Sequence, residues 1–331
     1  MPRPTDSHAR PGNDRAGRRS RHDDVIVEAA WCYYHDGLNQ NDIAKRLGVS
    51  RASVVNYLAE VRQRDYVRIT LDTDIFHNHH LVHDLTARFG LQEALIVPAD
   101  MMEEHRTVER VIRVASDWLP QLLEPGDHLG VAWGETIYRL SEIAPRLAMP
   151  DLTIVQLLGS KPAEIGFASE NCAAALANRF RAQCVNMHVP LLLSSPTLAE
   201  QLKAEPMIAA QLDMVAACRK VIFACGTISA GSHLERTGLL TKEQLAQMQR
   251  KGAAGVICGR IIDKDGAPLC APNEDQMIGV TLAQMRDKDM RILVAAGSDR
   301  LGSTLAALRG GYATHLVTSA DMAAQLLESA P

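Results

Sequence analysis

The chain has 331 residues, of which 47% are hydrophobic and 22% charged, with a formal net charge of −4. That is room for about two domains with ordinary apolar cores, and the absence of any run of about 18 apolar residues excludes a transmembrane helix. The opening MPRPTDSHARPGNDRAGRRSRHDD lacks the apolar segment of a secretory signal, and Asp6, Asp14, Asp23 and Asp24 argue against a transit peptide.

The seven cysteines, Cys32, Cys172, Cys184, Cys218, Cys225, Cys258 and Cys270, are odd in number, and none is paired at CxxC spacing. Most stand among apolar neighbours and read as small core residues in a reducing compartment, so the expected location is the cytoplasm, with no membrane partner. Residues 1–70 carry 12 Lys/Arg and 9 Asp/Glu, while the remainder carries 23 and 30. A basic head on an acidic body suits a DNA-facing module attached to a part that does not touch phosphate.

Residues 1–21, rich in Pro, Gly, Ser and Arg, read as a disordered tail. A helix is predicted from about Asp23 to His35, with Val27, Ala30, Trp31 and Tyr34 at helical spacing and Gly37 as its stop. A short helix over 40–47, a turn at Gly48-Val49-Ser50 and a third helix over 51–64 follow. A short strand from Val67 to Leu71 closes a first module of residues 22–72. From residue 76 to 331 the pattern alternates. An amphipathic helix lies near 78–89 and a strand at 93–98. A helix over 104–123 follows, with strands at 128–132, 152–158, 220–225, 291–296 and 314–318. Short, continuously apolar strands between helices indicate a parallel sheet covered on both faces, a doubly wound α/β domain.

The stretch NQNDIAKRLGVSRASVVNYLAEVR has the physics of a helix-turn-helix. Ile43, Ala44 and Leu47 give the second helix an apolar face, and Ala44 is small where two helices cross. Gly48 accepts the positive φ that ends the helix, Val49 plugs the core and Ser50 caps the next helix. Val54, Val55 and Leu58 are expected to pack inward. Arg51, Ala52, Ser53, Asn56 and Tyr57 are left on the outer side, where a recognition helix meets the major groove of double-stranded DNA. Arg51 can read guanine or hold a phosphate, Asn56 can pair bidentately with adenine, and Gln40 and Asn41 can clamp the phosphate backbone. A hairpin that serves packing alone would not need the capped turn, the small crossing residue and the polar outer face together.

Four loops at the ends of predicted strands carry Gly beside small polar residues: VAWGET (131–136), LLGSK (157–161), CGTIS (225–229) and AAGSDR (295–300). In an open parallel sheet, ligands bind beyond the carboxyl ends of the strands, where helix N-termini favour anions. Gly134 lets backbone approach a ligand, Thr136 adds a hydroxyl and Arg300 a forked cation. Gly in strand-to-helix turns also has plain steric reasons, but four such loops point to a polar or phosphorylated small ligand. No GxGxxG follows the first strand and no GxxxxGK[ST] occurs, so NAD and ATP are not expected and no cofactor is.

The rival reading is an enzyme, a sugar-phosphate isomerase or deaminase with a DNA-binding appendage. Its acid and base would come from Glu135, His233 and Asp263, each with a plainer role as helix cap, loop residue or turn initiator. A metal reading attaches to His77, His79, His80 and His83, with Asp84 as a further ligand. A solvated or interface helix is the stronger account, and no metal is expected. Met101-Met102 reads as a loop or packing feature.

The helix-turn-helix followed by LGVAWGETI, VQLLGS, CGTIS, GAAGVICGRIIDKDG and VAAGSDRLGSTLAALRGGYATHLVTS resembles the SorC family of sugar-binding transcriptional regulators, over nearly the whole chain beyond the first twenty residues. The resemblance implies a winged-helix-like helix-turn-helix followed by a Rossmann-like effector domain shaped like sugar-phosphate isomerases. It implies a regulator, a repressor of a catabolic operon in the simplest case, and not an enzyme. It implies a homo-oligomer, dimer or tetramer, whose affinity for operator DNA is set by a small carbohydrate, polyol or sugar-phosphate effector. Carried over by position, Gly134, Glu135 and Thr136 would lie in a phosphate loop, Gly226 and Thr227 in a second loop, and Arg300 at the place of a phosphate-contacting lysine. The loop reading adds Gly159, Ser160 and Gly297 to the expected effector set, and Asp263, after the GR turn, is included with them. Three departures from the family pattern stand out. Leu158 stands where a cation is frequent, Val256 replaces an acidic residue, and Asn56-Tyr57 replaces Ser-Arg in the recognition helix. A pocket short of a cation and a carboxylate suits a small polyol, ketose or monophosphate.

Overall fold

The structure, a computed structural model, describes residues 21–77, 79–160 and 169–329. The segment read as a disordered tail lies outside them except for Arg21, which opens the first helix. The chain divides into two compact units, Met1–Thr70 and Leu71–Pro331.

The first unit is built on three helices, α1 (Arg21–Ala30), α2 (Gln40–Leu47) and α3 (Arg51–Gln63). Asp23 and Asp24 sit in the first turn of α1, where carboxylates complement the positive end of the helix dipole. α1 runs on as a π-helical turn, Trp31–His35, and Leu38 N–H bonds back to Cys32 O at 2.9 Å. The buried face of this long helix is Ile26, Ala29, Ala30 and Cys32, whereas Trp31 is 56% exposed. The stripe predicted through Val27 and Trp31 is therefore turned by one residue, because the small Ala29-Ala30 pair and Ile26 are the side chains that the core accepts. Ala29, Cys32, Ile43, Ala44, Val54 and Leu58 form one cluster, and Ile26, Ala30 and Val61 a second. Residues 67–71 form no strand. Ile69 and Leu71 are 60% and 63% exposed, and among the described residues the β-type alternation there has no partner strand to pair with.

The second unit is a seven-stranded, all-parallel sheet. Its strands are β1 (Glu93–Val97), β2 (His128–Val131), β3 (Thr153–Gln156), β4 (Gln183–Val185) and β5 (Lys220–Phe223), and, after an insertion, β9 (Met290–Val294) and β10 (His315–Ser319). The spatial order is β1-β10-β9-β5-β2-β3-β4. The inserted strands β6 (Ala253–Ile257), β7 (Arg260–Asp263) and β8 (Pro268–Leu269) make a separate antiparallel sheet.

Both faces of the main sheet are covered, which is why its strands read as continuous apolar runs. Ala94, Ile96, Val155, Val221, Phe223, Leu293 and Leu316 belong to one core. Leu95, Val97, Leu129, Val131, Ile154, Ile222, Ile292, Val294 and Val317 belong to the other. Gly130 in β2 is a packing requirement, since a Cβ there would lie 2.5 Å from Leu157 Cδ2 and 2.9 Å from Val221 Cγ1.

From β2 the chain winds outward through β3 to β4. It then returns to place β5 on the other side of β2 and winds the opposite way through β9 to β10. The direction of winding reverses between β2 and β5. At such a reversal, the loops leaving the two strands diverge to opposite faces and open a crevice at the carboxyl edge.

Candidate functional site

A cavity of about 220 Å³ lies at that reversal. The segment after β2 supplies Ala132 to Thr136, the segment after β5 supplies Ala224 to Thr227, and Val256, Cys258, Gly259, Asp299 and Arg300 complete the wall with Ser229 and Gly231–Leu234 and Arg236. Gly134 caps the helix Glu135–Ile143 with φ +113 and ψ 168. A Cβ at Gly134 would meet nothing within 4 Å, so the requirement for glycine is the positive φ and not crowding. With no side chain at this cap, Gly134 offers the first-turn N–H groups of the helix no side-chain acceptor, and such a helix start favours an anion.

The loop after β5 is held against the small sheet. Gly226 N–H donates to Val256 O at 2.8 Å and Val256 N–H to Gly226 O at 3.0 Å. Thr227 Oγ1 and Ser229 Oγ are 3.0 Å apart. Arg300 Nη1 donates to Cys225 O at 2.7 Å and Nε to Asp299 Oδ2 at 3.2 Å, which fixes the guanidinium at the cavity while part of it stays accessible. His233 meets the edge of the Trp133 ring, with centroids 4.6 Å apart. The cavity thus gathers the cations Arg236 and Arg300, the hydroxyls Thr136, Thr227 and Ser229, and one helix N-terminus. Glu135, also in the wall, is engaged by Arg139 Nη1 at 3.8 Å.

Two thiols belong to the wall. Burial pushes Cys225 and Cys258 each up to about 12, so both are neutral thiols and poor nucleophiles. Cys258 and Gly259 form the two-residue turn between β6 and β7, with φ +50 and +76. A cysteine in the left-handed region is unusual, and the hairpin tip that it belongs to faces the cavity.

Six of the ten predicted effector residues come together here: Gly134, Glu135, Thr136, Gly226, Thr227 and Arg300. The other four do not line the cavity. Gly159 is locked against a neighbouring loop, where a Cβ would lie 2.7 Å from Leu191 backbone. Ser160 accepts from Gln156 Nε2 at 3.3 Å and bridges to Pro190, and its neighbour Lys161 lies outside the described residues. Asp263 Oδ1 accepts the N–H groups of Asp265 and Ala267 at 2.9 and 2.8 Å, the turn-forming role. Gly297 caps the turn Ser298–Arg300 and lies outside the wall that Arg300 joins. Of the acid–base candidates, Glu135 and His233 face the cavity and Asp263 does not.

Arg236, Trp133 and the Cys258-Gly259 tip went unrecognised in the sequence. Arg236 belongs to the four-residue helix His233–Arg236, too short to leave a periodic signal. Two departures from the family pattern have a physical expression: Val256 is an apolar, nearly buried part of the wall, and Leu158 is fully buried. The histidine segment has His77 Nε2 3.7 Å from Glu93 and His79 stacked on His80 at 4.4 Å. Among the described residues, no group of three or more His, Cys, Asp or Glu is arranged to hold a metal ion.

The helix-turn-helix surface expected to meet nucleic acid is set by caps at both helix starts. Asn39 caps α2, its Oδ1 accepting Asn41 N–H at 3.0 Å and Asp42 N–H at 3.1 Å. Gly48 ends α2 at φ +66, and Ser50 Oγ accepts Ser53 N–H at 3.1 Å to start α3. Arg51 Nε donates to Gln40 Oε1 at 3.2 Å, which joins the starts of the two helices on one side. Arg51, Ala52 and Asn56 are exposed as predicted, and Ser53 partly so. Val55 is 42% exposed instead of packed inward, because Val54, Leu58 and Val61 already fill the inner face. Tyr57 is half-buried, packing on both clusters of the unit and edge-on to His22 at 5.8 Å, so its ring is a core element as much as a surface one.

A family model described as "Putative sugar-binding domain" matches residues 73–328. An uncharacterised transcriptional regulator, YjhU of Escherichia coli K12, is 35% identical over 92% of this chain and 94% of its own length. The deoxyribonucleoside regulator of Bacillus subtilis is 26% identical over 92% of this chain and 97% of its own. The crystal structure of the full-length sorbitol operon regulator SorC from Klebsiella pneumoniae superposes with a TM-score of 0.75. It covers 93% of this chain and 100% of its own at 24% identity, a likeness of fold. On a sugar-binding domain that spans most of its length and a relative of this closeness along the whole of it, the chain belongs to the SorC family of sugar-binding transcriptional regulators.

Proposed function

We propose that the cavity between β2 and β5 binds a small carbohydrate, a polyol, ketose or sugar monophosphate, and that its occupancy sets the affinity of α2 and α3 for operator DNA. The observation that carries the reading is the meeting of an uncapped helix N-terminus, Arg236, Arg300 and three hydroxyls at the reversal point of the sheet. Hydroxyls and a carbonyl-anchored guanidinium suit a polyhydroxylated ligand, and the helix end suits one phosphate. A cavity of about 220 Å³ is smaller than the roughly 300–1,000 Å³ typical of drug-sized ligands, which favours a single sugar unit.

On the DNA side, Arg51 and Asn56 read bases, Val55 offers an apolar contact to a thymine methyl, and Gln40 and Asn41 hold the backbone. One such unit buries little surface, so a dimer or higher oligomer presents recognition helices to half-sites about 34 Å apart. The action is repression of a catabolic operon that the effector relieves. Ligand shifts operator affinity only through its unequal affinity for two states of the protein.

Calorimetry with polyols, ketoses, sugar monophosphates and a bisphosphate tests the assignment. A ligand from the first three classes should bind, and Arg300→Ala and Thr136→Ala should weaken it about tenfold or more. Tight binding of the bisphosphate alone would contradict the proposed class.

A further inference from the structure

We infer that Glu104, 194 residues away in sequence from the loop that carries Arg300, is a positioning residue of the effector site, because it caps that loop in place of the side chain that Gly297 lacks. The inference rests on the assignment of Arg300 to the effector cavity.

The loop after β9 turns at Gly297 with φ +100, a conformation that few other residues adopt. Gly297 occupies the cap position of the turn Ser298–Arg300, which leads directly into the helix Leu301–Arg309, and it offers no side-chain acceptor. The first N–H groups of such a segment need acceptors from elsewhere. Glu104 Oε1 accepts Ser298 N–H at 2.6 Å. The loop is then tied at two points, by Glu104 at Ser298 and by Cys225 O at the Arg300 guanidinium 2.7 Å away.

The carboxylate comes from a rigid platform. Glu104 opens the helix Glu104–Trp118, and the turn before it is fixed by Asp100. The Asp100 carboxylate accepts Met102 N–H at 3.1 Å, Glu103 N–H at 3.2 Å and Arg110 Nη2 at 2.7 Å, while Asp100 N–H donates to Thr107 Oγ1 at 2.7 Å. A side chain that is merely solvated would not need a base held at four points. The Ser298 backbone N–H, followed by its hydroxyl, holds the Glu104 carboxyl below the usual carboxylate range, so the acceptor is ionised at neutral pH.

Hydrogen exchange on the full chain tests this without a ligand. In Glu104→Ala the amides of residues 297–301 should exchange about tenfold faster while those of β9 and β10 stay protected, and Glu104→Gln, which keeps an acceptor oxygen, should restore most of the protection. In calorimetry with fructose 6-phosphate, Glu104→Ala should weaken binding in the same direction as Arg300→Ala and leave ligand-free operator affinity unchanged. Unaltered exchange in Glu104→Ala would overturn the inference. If fructose 6-phosphate binds neither wild type nor variants, that sugar phosphate is not the effector, the calorimetric arm passes to the member of the panel that does bind, and the exchange result still decides whether Glu104 holds the loop.

Discussion

At the scale of single residues, a buried histidine links folding to pH. His315 opens β10, is 2% exposed and lies 5.7 Å from the Trp118 ring, with Nδ1 2.9 Å from Thr314 Oγ1. Burial lowers its pKa from the ordinary 6.5, and the nearby Glu93 only partly opposes that. The unfolded chain therefore takes the proton first as pH falls. The stability contributed by the neutral ring is complete above the unfolded value and drains away as pH drops through the lowered folded one. A thermal-unfolding series should show the melting point falling below about pH 6.5, and His315→Phe, which keeps the ring contact, should flatten that acid limb. An identical limb in the variant would place the titration elsewhere. Arg51 is the corresponding test on the DNA side. Its replacement by Ala should cost about 1–3 kcal/mol of operator affinity and leave ligand binding untouched, as a gel-shift and calorimetry pair would show.

At the scale of elements, glycines at strand ends divide into those that line the cavity with open space beside them and those that are packed against neighbouring backbone, and the sequence does not separate the two. Gly134 and Gly159 both follow a strand in a Gly-plus-hydroxyl loop, yet Gly134 has open space beside it and Gly159 has Leu191 and Pro190 backbone 2.7 Å away. Gly159→Ala should therefore destabilise the fold by about 1–3 kcal/mol in denaturant titration. A neutral result would mean that the 190–191 loop yields freely.

The same division explains what was legible. Six parallel strands announced themselves as apolar runs because both faces are buried. The edge strand β4 has the burial of a surface segment, two exposed residues of three, and left no such run. The small sheet β6–β8 is joined by a Cys258-Gly259 turn that lacks the usual Asn-Gly signal, so its hairpin and its place in the cavity wall stayed hidden. The helix-turn-helix was readable almost to the residue, since Gly48 and Ser50 are local signals. The phase of α1 was not, because the choice between Trp31 and Ala29-Ala30 as the inner face is made by the neighbouring helices.

At the scale of the whole molecule, the cavity arises from topology: strands winding in two directions leave a crevice at one point, and the residues that converge there come from segments more than 160 positions apart. No local pattern could place Arg236 or the hairpin tip beside Gly134, whereas the ordered series of loops could place Thr136, Thr227 and Arg300. The described residues contain no helix long and apolar enough to cross a membrane. A regulator of this kind responds to an effector only if the effector binds the DNA-competent state and the alternative state with unequal affinity. Coupling of about 1–3 kcal/mol corresponds to a change of roughly 5- to 150-fold in affinity.

The most direct measurement is the dissociation constant for a fragment of the protein's own promoter, titrated at fixed salt with and without the carbohydrate that calorimetry identifies, for wild type and Arg300→Ala. The account predicts a shift of at least about fivefold on saturating wild type with ligand, and in the variant, whose ligand-free affinity is unchanged, the same shift only at about ten or more times that ligand concentration. Equal affinity with and without ligand in wild type, or the same dose response in Arg300→Ala as in wild type, would contradict it.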